Sequence, residues 1–222
     1  CAGLRATTWQ WRWAIGCGLA MGVALAAKHS ALAGLAGLGS GLAGAALCGW
    51  RQGGRAILRR AMRLAVAALL AVVLLWSMYG LHFHAGADGH DAFNRPIAAK
   101  IDELTLPHWR NALAFADEHQ LLPRAYLWGL ADTVRTGVEG RGIGMHQVWG
   151  KTYYGNPPWF SWPAILASKL PLALMALLLA ALPLLVRTRL PPSARWSLAA
   201  VIAACGFHMV ALMGSEGIWG GV

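Results

Sequence analysis

Five long apolar runs divide the chain, and polar or basic segments separate them. The runs cover residues 13–27, 31–50, 61–80, 161–186 and 196–213. Each run is near or above the length of about 17 to 20 residues that a helix needs to cross a bilayer. Solid apolar runs favour helices, because a transmembrane β-strand alternates apolar and polar positions. The pattern predicts an all-α, polytopic membrane protein with about five transmembrane helices.

The first two runs are short and rich in glycine and alanine. Lys28, His29 and Ser30 separate them. This predicts a tight helical hairpin with the three polar residues at its turn, and one long kinked helix is the alternative. In the first run, Gly18 and Gly22 have the small-xxx-small spacing that lets two membrane helices pack closely.

Residues 81–160, between the third and fourth runs, have mixed polarity and should form a helical loop. Residues 92–104 have helical periodicity. Prolines at 107 and 123 can each begin a helix, ending near 120 and 138, since proline is tolerated in the first turn. The last of these helices has one apolar face, formed by Tyr126, Leu127, Leu130 and Val134. We expect these helices to lie on the membrane surface.

The fourth run follows a crowded aromatic stretch at 149–162. Trp and Tyr favour the membrane–water boundary, so this stretch marks where the loop meets lipid. The run carries a single charge, Lys169, and three prolines, Pro163, Pro171 and Pro183. Proline bends helices, so we expect this span to bend or to begin late.

Composition and charge agree with a membrane protein. Of the residues, 57% are hydrophobic and 13% are charged, against about 25% charged in soluble domains. Basic residues cluster at 51–63 and 187–195, whereas all nine carboxylates lie at or beyond Asp88. The positive-inside rule then makes both clusters cytoplasmic and the 81–160 loop extracytoplasmic. No basic–aromatic module accompanies the net charge of +10, so no nucleic-acid partner is expected.

These signals divide the chain into three parts. Residues 1–80 form transmembrane helices one to three, with a basic cytoplasmic loop at 51–63. Residues 81–160 form the extracytoplasmic loop with its amphipathic helices. Residues 161–222 form transmembrane helices four and five.

Four segments, in this order, resemble one family. They are residues 18–32 (GLAMGVALAAKHSAL), 122–130 (LPRAYLWGL), 149–171 and 215–222 (SEGIWGGV). They are similar to segments of the bacterial family 39 glycosyltransferases, the protein-mannosyltransferase-like group. In the third segment the residues at the family's positions are Tyr153, Tyr154, Phe160, Pro163, Lys169 and Pro171.

The resemblance implies a GT-C fold in the bacterial inner membrane. It implies sugar transfer from a polyprenyl-phosphate donor to a protein, lipid or glycan hydroxyl on the extracytoplasmic face. The family's acidic catalytic motif lies upstream of all four segments, so the chain is expected to be an internal fragment without its general base. Residues 155–158 form an insertion relative to the family pattern. The alternative is a non-catalytic polytopic membrane protein, such as a transporter or assembly subunit.

The chemistry of such a transfer selects candidate binding residues. An ionisable residue inside an apolar run indicates function. The candidate phosphate ligands are the cations near the outer boundary: Lys169, Lys28, Arg141 and Lys151. The candidate substrate or lipid groove is formed by His146, Tyr153, Tyr154, Trp159 and Phe160. The alternatives are that Lys169 snorkels to the surface and that the rings form an interfacial belt.

Three carboxylates facing the same compartment are candidates for acid–base work within the chain: Asp88, Asp91 and Glu216. No cofactor is expected. The spacing of His82, His84 and His90, together with Asp88 and Asp91, suits a site for a divalent cation. A metal-sensing extracytoplasmic loop is therefore a further alternative.

Overall fold

A computed structural model describes residues 9–47, 53–86, 88–140, 145–154, 157–187 and 190–214. The described chain is mostly helical, as predicted. Its helices are α1 (Trp11–Ala27), α2 (Ala31–Leu47), α3 (Gly54–Met78), α4 (Ile97–Asp102), α5 (Pro107–Glu118), α6 (Arg124–Thr133), α7 (Ser161–Lys169), α8 (Leu172–Arg187) and α9 (Pro192–Met213). A π-helical turn, Val134–Val138, extends α6. A short antiparallel hairpin of β1 (Met145–Val148) and β2 (Lys151–Tyr154), which was not predicted, is added to the all-α fold.

Of the described helices, α3 is the one that is long and apolar enough to cross a membrane by itself. Its 25 residues span roughly 37 Å at 1.5 Å per residue. The bent pair α7–α8 counts as a second span only if it crosses as one unit, whereas α1, α2 and the apolar part of α9 are shorter. The structure thus gives weak support for membrane association, and the number of five spans stays a prediction.

The basic segment 51–63, expected as a cytoplasmic loop or an amphipathic helix on the membrane surface, is largely helical, and its cytoplasmic location stays a prediction. α3 begins at Gly54, because arginine has a high helix propensity and neither glycine nor proline follows before the helix ends. Four arginines therefore lie in its first turns: Arg55, Arg59, Arg60 and Arg63. Arg60 donates a hydrogen bond to the Ala46 carbonyl at 3.3 Å, which ties this end of α3 to α2. Residues 51 and 52 lie outside the described residues.

The turn at residues 28–30 separates α1 from α2, so the alternative of a single kinked helix is wrong. The two helices pack mainly on other partners, α1 along α3 and α2 along α9, so they do not form the expected tight pair. A Cβ at Gly18 would lie 2.6 Å from the Ala67 carbonyl oxygen, and one at Gly22 would lie 2.8 Å from that of Ala71. The predicted small-residue spacing is therefore used, between α1 and α3.

The loop helices form a small core on the ends of α1, α2 and α3. All four residues of the predicted apolar face of α6 are buried, which confirms that face. They pack with α4, α5 and Leu75 of α3, and Leu25 and Leu32 border the cluster. These apolar faces contact protein, and the position of the loop helices on the membrane surface stays a prediction.

Intramolecular pairs account for much of the acidic character of the loop. Asp132 pairs with Lys100, and Glu103 pairs with both Arg95 and Arg135. Asp91 and Asp117 also pair with Arg124, and Glu139 accepts a hydrogen bond from the Leu106 N–H. Of these carboxylates, Asp91 was a candidate for acid–base chemistry, and its pairing gives it a structural use.

The fourth apolar run is broken rather than continuous. α7 and α8 meet at an angle of 108°. Leu170, between them, is extended, since a residue before proline avoids the helical conformation. Pro163 lies in the first turn of α7, and Pro183 lies inside α8 without ending it. The bend that the prolines predicted is therefore confirmed, and it falls at Pro171.

Candidate functional site

The hairpin β1–β2 packs against α7 at the start of the fourth apolar run. Its turn residues Trp149 and Gly150 both have positive φ, 49° and 75°, as a two-residue hairpin turn requires. In the register His146 pairs with Tyr153, and Val148 pairs with Lys151. The sequence signal for this missed element was a glycine between two short runs with β-strand residues.

Three of the predicted groove residues lie close together: His146 and Tyr153 on the inner face of the hairpin, and Phe160 at the start of α7. His146 is buried and Tyr153 is half-buried. The Tyr153 ring meets the Phe160 ring edge-on, with centroids 6.2 Å apart. On the turn, the Trp149 Nε1 donates to the Ser168 Oγ of α7 at 2.6 Å. The hairpin is thereby fixed to α7 along its length.

Two further groove candidates lie on the outside of this unit. Trp159 stands perpendicular to the Phe160 ring, with centroids 5.9 Å apart. Its exposed fraction is 69%, and that of Tyr154 is 81%. Both rings are free to meet lipid or a ligand, so the interfacial belt and the substrate groove both stay open for them.

Three predicted phosphate ligands, Lys28, Lys151 and Lys169, are exposed. Lys151 begins β2 and Lys169 ends α7, at the corner before α8, so both belong to the hairpin–α7 unit. Lys28 lies on the turn between α1 and α2, which contacts α6 instead. Arg141 lies outside the described residues. The structure thus separates the predicted cations into two groups.

The turn at residues 28–30 contacts the segment at 122–130, so two of the resembling segments meet. The His29 Nε2 lies 3.2 Å from the Tyr126 carbonyl oxygen, to which it donates, and the two rings lie 4.7 Å apart. Burial lowers the pKa of His29, and the hydrogen bond to Tyr126 offsets part of this change. Burial, with the neighbouring Tyr79, raises the pKa of Tyr126 to about 12.

Gly129 makes this contact possible, because a Cβ there would lie 2.7 Å from the His29 Cε1. We expect Gly129→Ala to displace the imidazole and lower the free energy of unfolding by about 1 to 2 kcal/mol. Thermal unfolding in detergent measures it, and Gly137→Ala is the control, since nothing lies within 4 Å of that position. Truncating His29 to alanine should relieve the Gly129→Ala clash. Equal stability of the two glycine variants would contradict the role of Gly129.

Among the candidate carboxylates, Asp91 lies in a hydrogen-bonded network. It accepts from the Arg124 Nη1 at 2.9 Å and from the Ala85 N–H at 2.8 Å, with the His84 Nδ1 at 3.4 Å. Burial alone would raise the pKa of Asp91, but these hydrogen bonds lower it overall. A carboxylate with a lowered pKa is a weak base for an acceptor hydroxyl. The geometry favours a structural role for Asp91.

The other candidate carboxylates and the histidine cluster provide less evidence for a functional site. Asp88 accepts from the His90 N–H at 3.1 Å within a local turn, and Glu216 lies outside the described residues. Across the described ranges, no three His, Cys, Asp or Glu side chains are arranged to hold a metal ion. The divalent-cation site at His82, His84 and His90 stays a sequence prediction.

Sequence reasoning missed a buried cation in the loop. Lys100 is 5% exposed, with its Nζ 3.0 Å from Asp132 and 3.0 Å from the centre of the Trp128 ring. A signal was available, because Lys100 shares the helical face of Ile97, Ile101 and Leu104, all of which are buried. This cation holds α4 to α6.

Comparison of the chain with protein-family models, curated proteins and solved structures finds no match. The resemblance of the four segments therefore rests on their residues and order.

Proposed function

We propose that the chain is part of an integral-membrane glycosyltransferase. It transfers a sugar from a polyprenyl-phosphate donor to an acceptor hydroxyl on the extracytoplasmic face. The observation that carries the proposal is the corner at Pro171: an exposed lysine and an aromatic hairpin adjoin an apolar helix with exposed leucines. This combination suits a ligand that joins a phosphate to a long hydrocarbon tail.

The apolar side of the corner is α8. Leu172 is 83% exposed and Leu177 is 67% exposed. Such side chains are stable in contact with hydrocarbon, since exposure of apolar surface to water costs free energy. A prenyl tail is chemically equivalent to the surrounding lipid here. α8 can therefore accept the donor laterally from the bilayer.

The polar side of the corner is Lys169 with the hairpin. A lysine at the end of a short helix at the boundary costs less than one in the middle of a span. An ammonium group there can stabilise the negative charge that develops on the leaving phosphate. Tyr153 and Phe160, at the other end of α7, supply ring faces that can contact a sugar.

The proposed topology follows from charge. The arginines at the start of α3 place that end in the cytoplasm, and the acidic loop at its other end lies outside. The proposal includes five spans, with α1, α2, α3, the α7–α8 pair and α9 as their described parts.

The decisive experiment is sugar transfer by Lys169→Ala in the full-length protein. We expect transfer from a labelled polyprenyl-phosphate sugar in isolated membranes to fall by about 100-fold, since removing one charge-stabilising group costs about this much. Lys169→Arg should keep most of the activity. Arg110→Ala is the control, because Arg110 is an exposed cation on α5. Unchanged transfer by Lys169→Ala would exclude Lys169, and no transfer by the wild type would favour a transporter or assembly subunit.

A further inference from the structure

Three buried polar atoms in the hairpin–α7 unit have no hydrogen-bond partner among the described residues. They are the His146 Nε2, the Ser161 Oγ and the Trp162 Nε1. The Ser161 side chain is fully buried, and that of His146 is 9% exposed. Folded proteins leave few such atoms unpaired, because an unmade buried hydrogen bond is costly. Their concentration in one unit indicates a partner other than the described residues.

The three side chains come from adjoining parts of this unit. His146 lies on the inner face of β1, which packs on α7, and its cross-strand neighbour Tyr153 contacts Phe160. Ser161 and Trp162 follow Phe160 directly and form the first turn of α7. Phe160 caps α7 without a side-chain hydrogen bond. The positive end of the helix is therefore left without a side-chain acceptor.

The chemistry of the three atoms indicates the charge of the missing partner. An indole N–H can only donate, a hydroxyl can donate, and the imidazole Nε2 donates in one of its tautomers. Donors next to a helix N-terminus fit an oxyanion. The nearby charge of the unit is also positive, from Lys151 and Lys169 at its edges.

We infer that His146, Ser161 and Trp162 bind a phosphate oxygen of the polyprenyl-phosphate donor. The inference rests on the transferase proposed above and deepens it. The first turn of α7 then fixes the position of the phosphate.

The test is binding of farnesyl phosphate to the full-length protein in detergent, with farnesol as the uncharged control. We expect Ser161→Ala to weaken farnesyl phosphate binding by about ten-fold or more, since hydrogen bonds to charged groups are strong. Farnesol binding should not change. Ser161→Ala should not lower the unfolding temperature, because the hydroxyl has no hydrogen-bond partner among the described residues. Ser40→Ala on α2 is the control, because Ser40 lies outside the hairpin–α7 unit and its hydroxyl donates to the Ala36 carbonyl.

Equal affinity of the wild type and Ser161→Ala for farnesyl phosphate would overturn the inference, as would absence of binding by the wild type. If inorganic phosphate binds the wild type as tightly as farnesyl phosphate does, the site binds free phosphate, and its assignment to the polyprenyl-phosphate donor is wrong. If the Ser161→Ala variant transfers sugar normally, this inference is wrong and the proposed function still holds. If Ser161→Ala weakens binding but the wild type transfers no sugar, the phosphate site still holds and the proposed transferase activity is wrong.

Discussion

Replacing Gly18 and Gly22 together by leucine should force α1 away from α3 and lower the free energy of unfolding by about 3 kcal/mol or more. Even a Cβ at either position would lie within 2.8 Å of a backbone carbonyl oxygen of α3. A backbone cannot rotate away as a side chain can, so the helices must separate. Overpacking of this kind costs about 1 to 3 kcal/mol for each site. Unfolding of the purified protein in detergent, followed by circular dichroism, measures the loss.

A matched pair of glycines lies on α2. Nothing lies within 4 Å of a Cβ at Gly39 or Gly44, so leucine at both positions should be tolerated. The gain in helix propensity over glycine, about 1 kcal/mol per residue, should even favour the fold slightly. If the two double variants lost stability equally, the α1–α3 contact would not be the cause.

Arg124→Met should lower the free energy of unfolding by about 2 kcal/mol. Arg124 lies between two carboxylates, with 2.9 Å to Asp91 and 2.8 Å to Asp117, and its guanidinium lies 4.9 Å from the centre of the Phe83 ring. Its removal leaves two largely buried negative charges without their partner. Loss of one partner of a fully buried pair costs about 3 to 5 kcal/mol, and the partial exposure here reduces that cost.

The pH dependence of this effect has a definite sign. The pKa of Asp91 is lower in the folded protein than its ordinary value of about 4. Its contribution to stability is therefore present above that ordinary value and is lost as the pH falls through the lower, folded pKa. The difference in stability between wild type and Arg124→Met should shrink below about pH 4.

Thermal unfolding at pH 7 and pH 3 checks this prediction. Arg110→Met is its control, because Arg110 is exposed on α5 and its loss should change stability by less than about 0.5 kcal/mol. Replacing Asp91 and Asp117 by asparagine should restore part of the stability of Arg124→Met, since the unpaired charges are then absent. A constant difference across pH would show that Arg124 acts through packing on Phe83 and not through charge.

The sequence was most informative where the cause of a structure is local. The helices that begin at Pro107 and Arg124 follow from a proline that fits the first turn and from apolar residues at helical spacing. The turn at Lys28 follows from three polar residues between two apolar runs. The close approach at Gly18 follows from the absence of a side chain. Each of these depends on residues within a few positions of one another.

The candidate site was predicted only in part, because its geometry depends on contacts between distant segments. The aromatic and basic residues of 146–169 were recognised by type, and the structure joins His146, Tyr153 and Phe160. Ser161 was missed, since a serine at the start of an apolar run is ordinary until its burial without a partner is seen. Lys100 was missed for a related reason, because its burial depends on Asp132 and Trp128, about 30 residues away.

By itself, the sequence determined that this protein is mostly helical, where several helices begin and which faces are apolar, because backbone propensity and residue spacing act over short distances. The tertiary structure decided which helices pack together, how far the chain turns at Pro171, and that Asp91 bonds to Arg124. Many carboxylates and arginines are chemically equivalent in the sequence, and only the fold selects which of them meet. The fold also buries the Ser161 hydroxyl without a hydrogen-bond partner among the described residues, which makes the first turn of α7 the place to test for a phosphate.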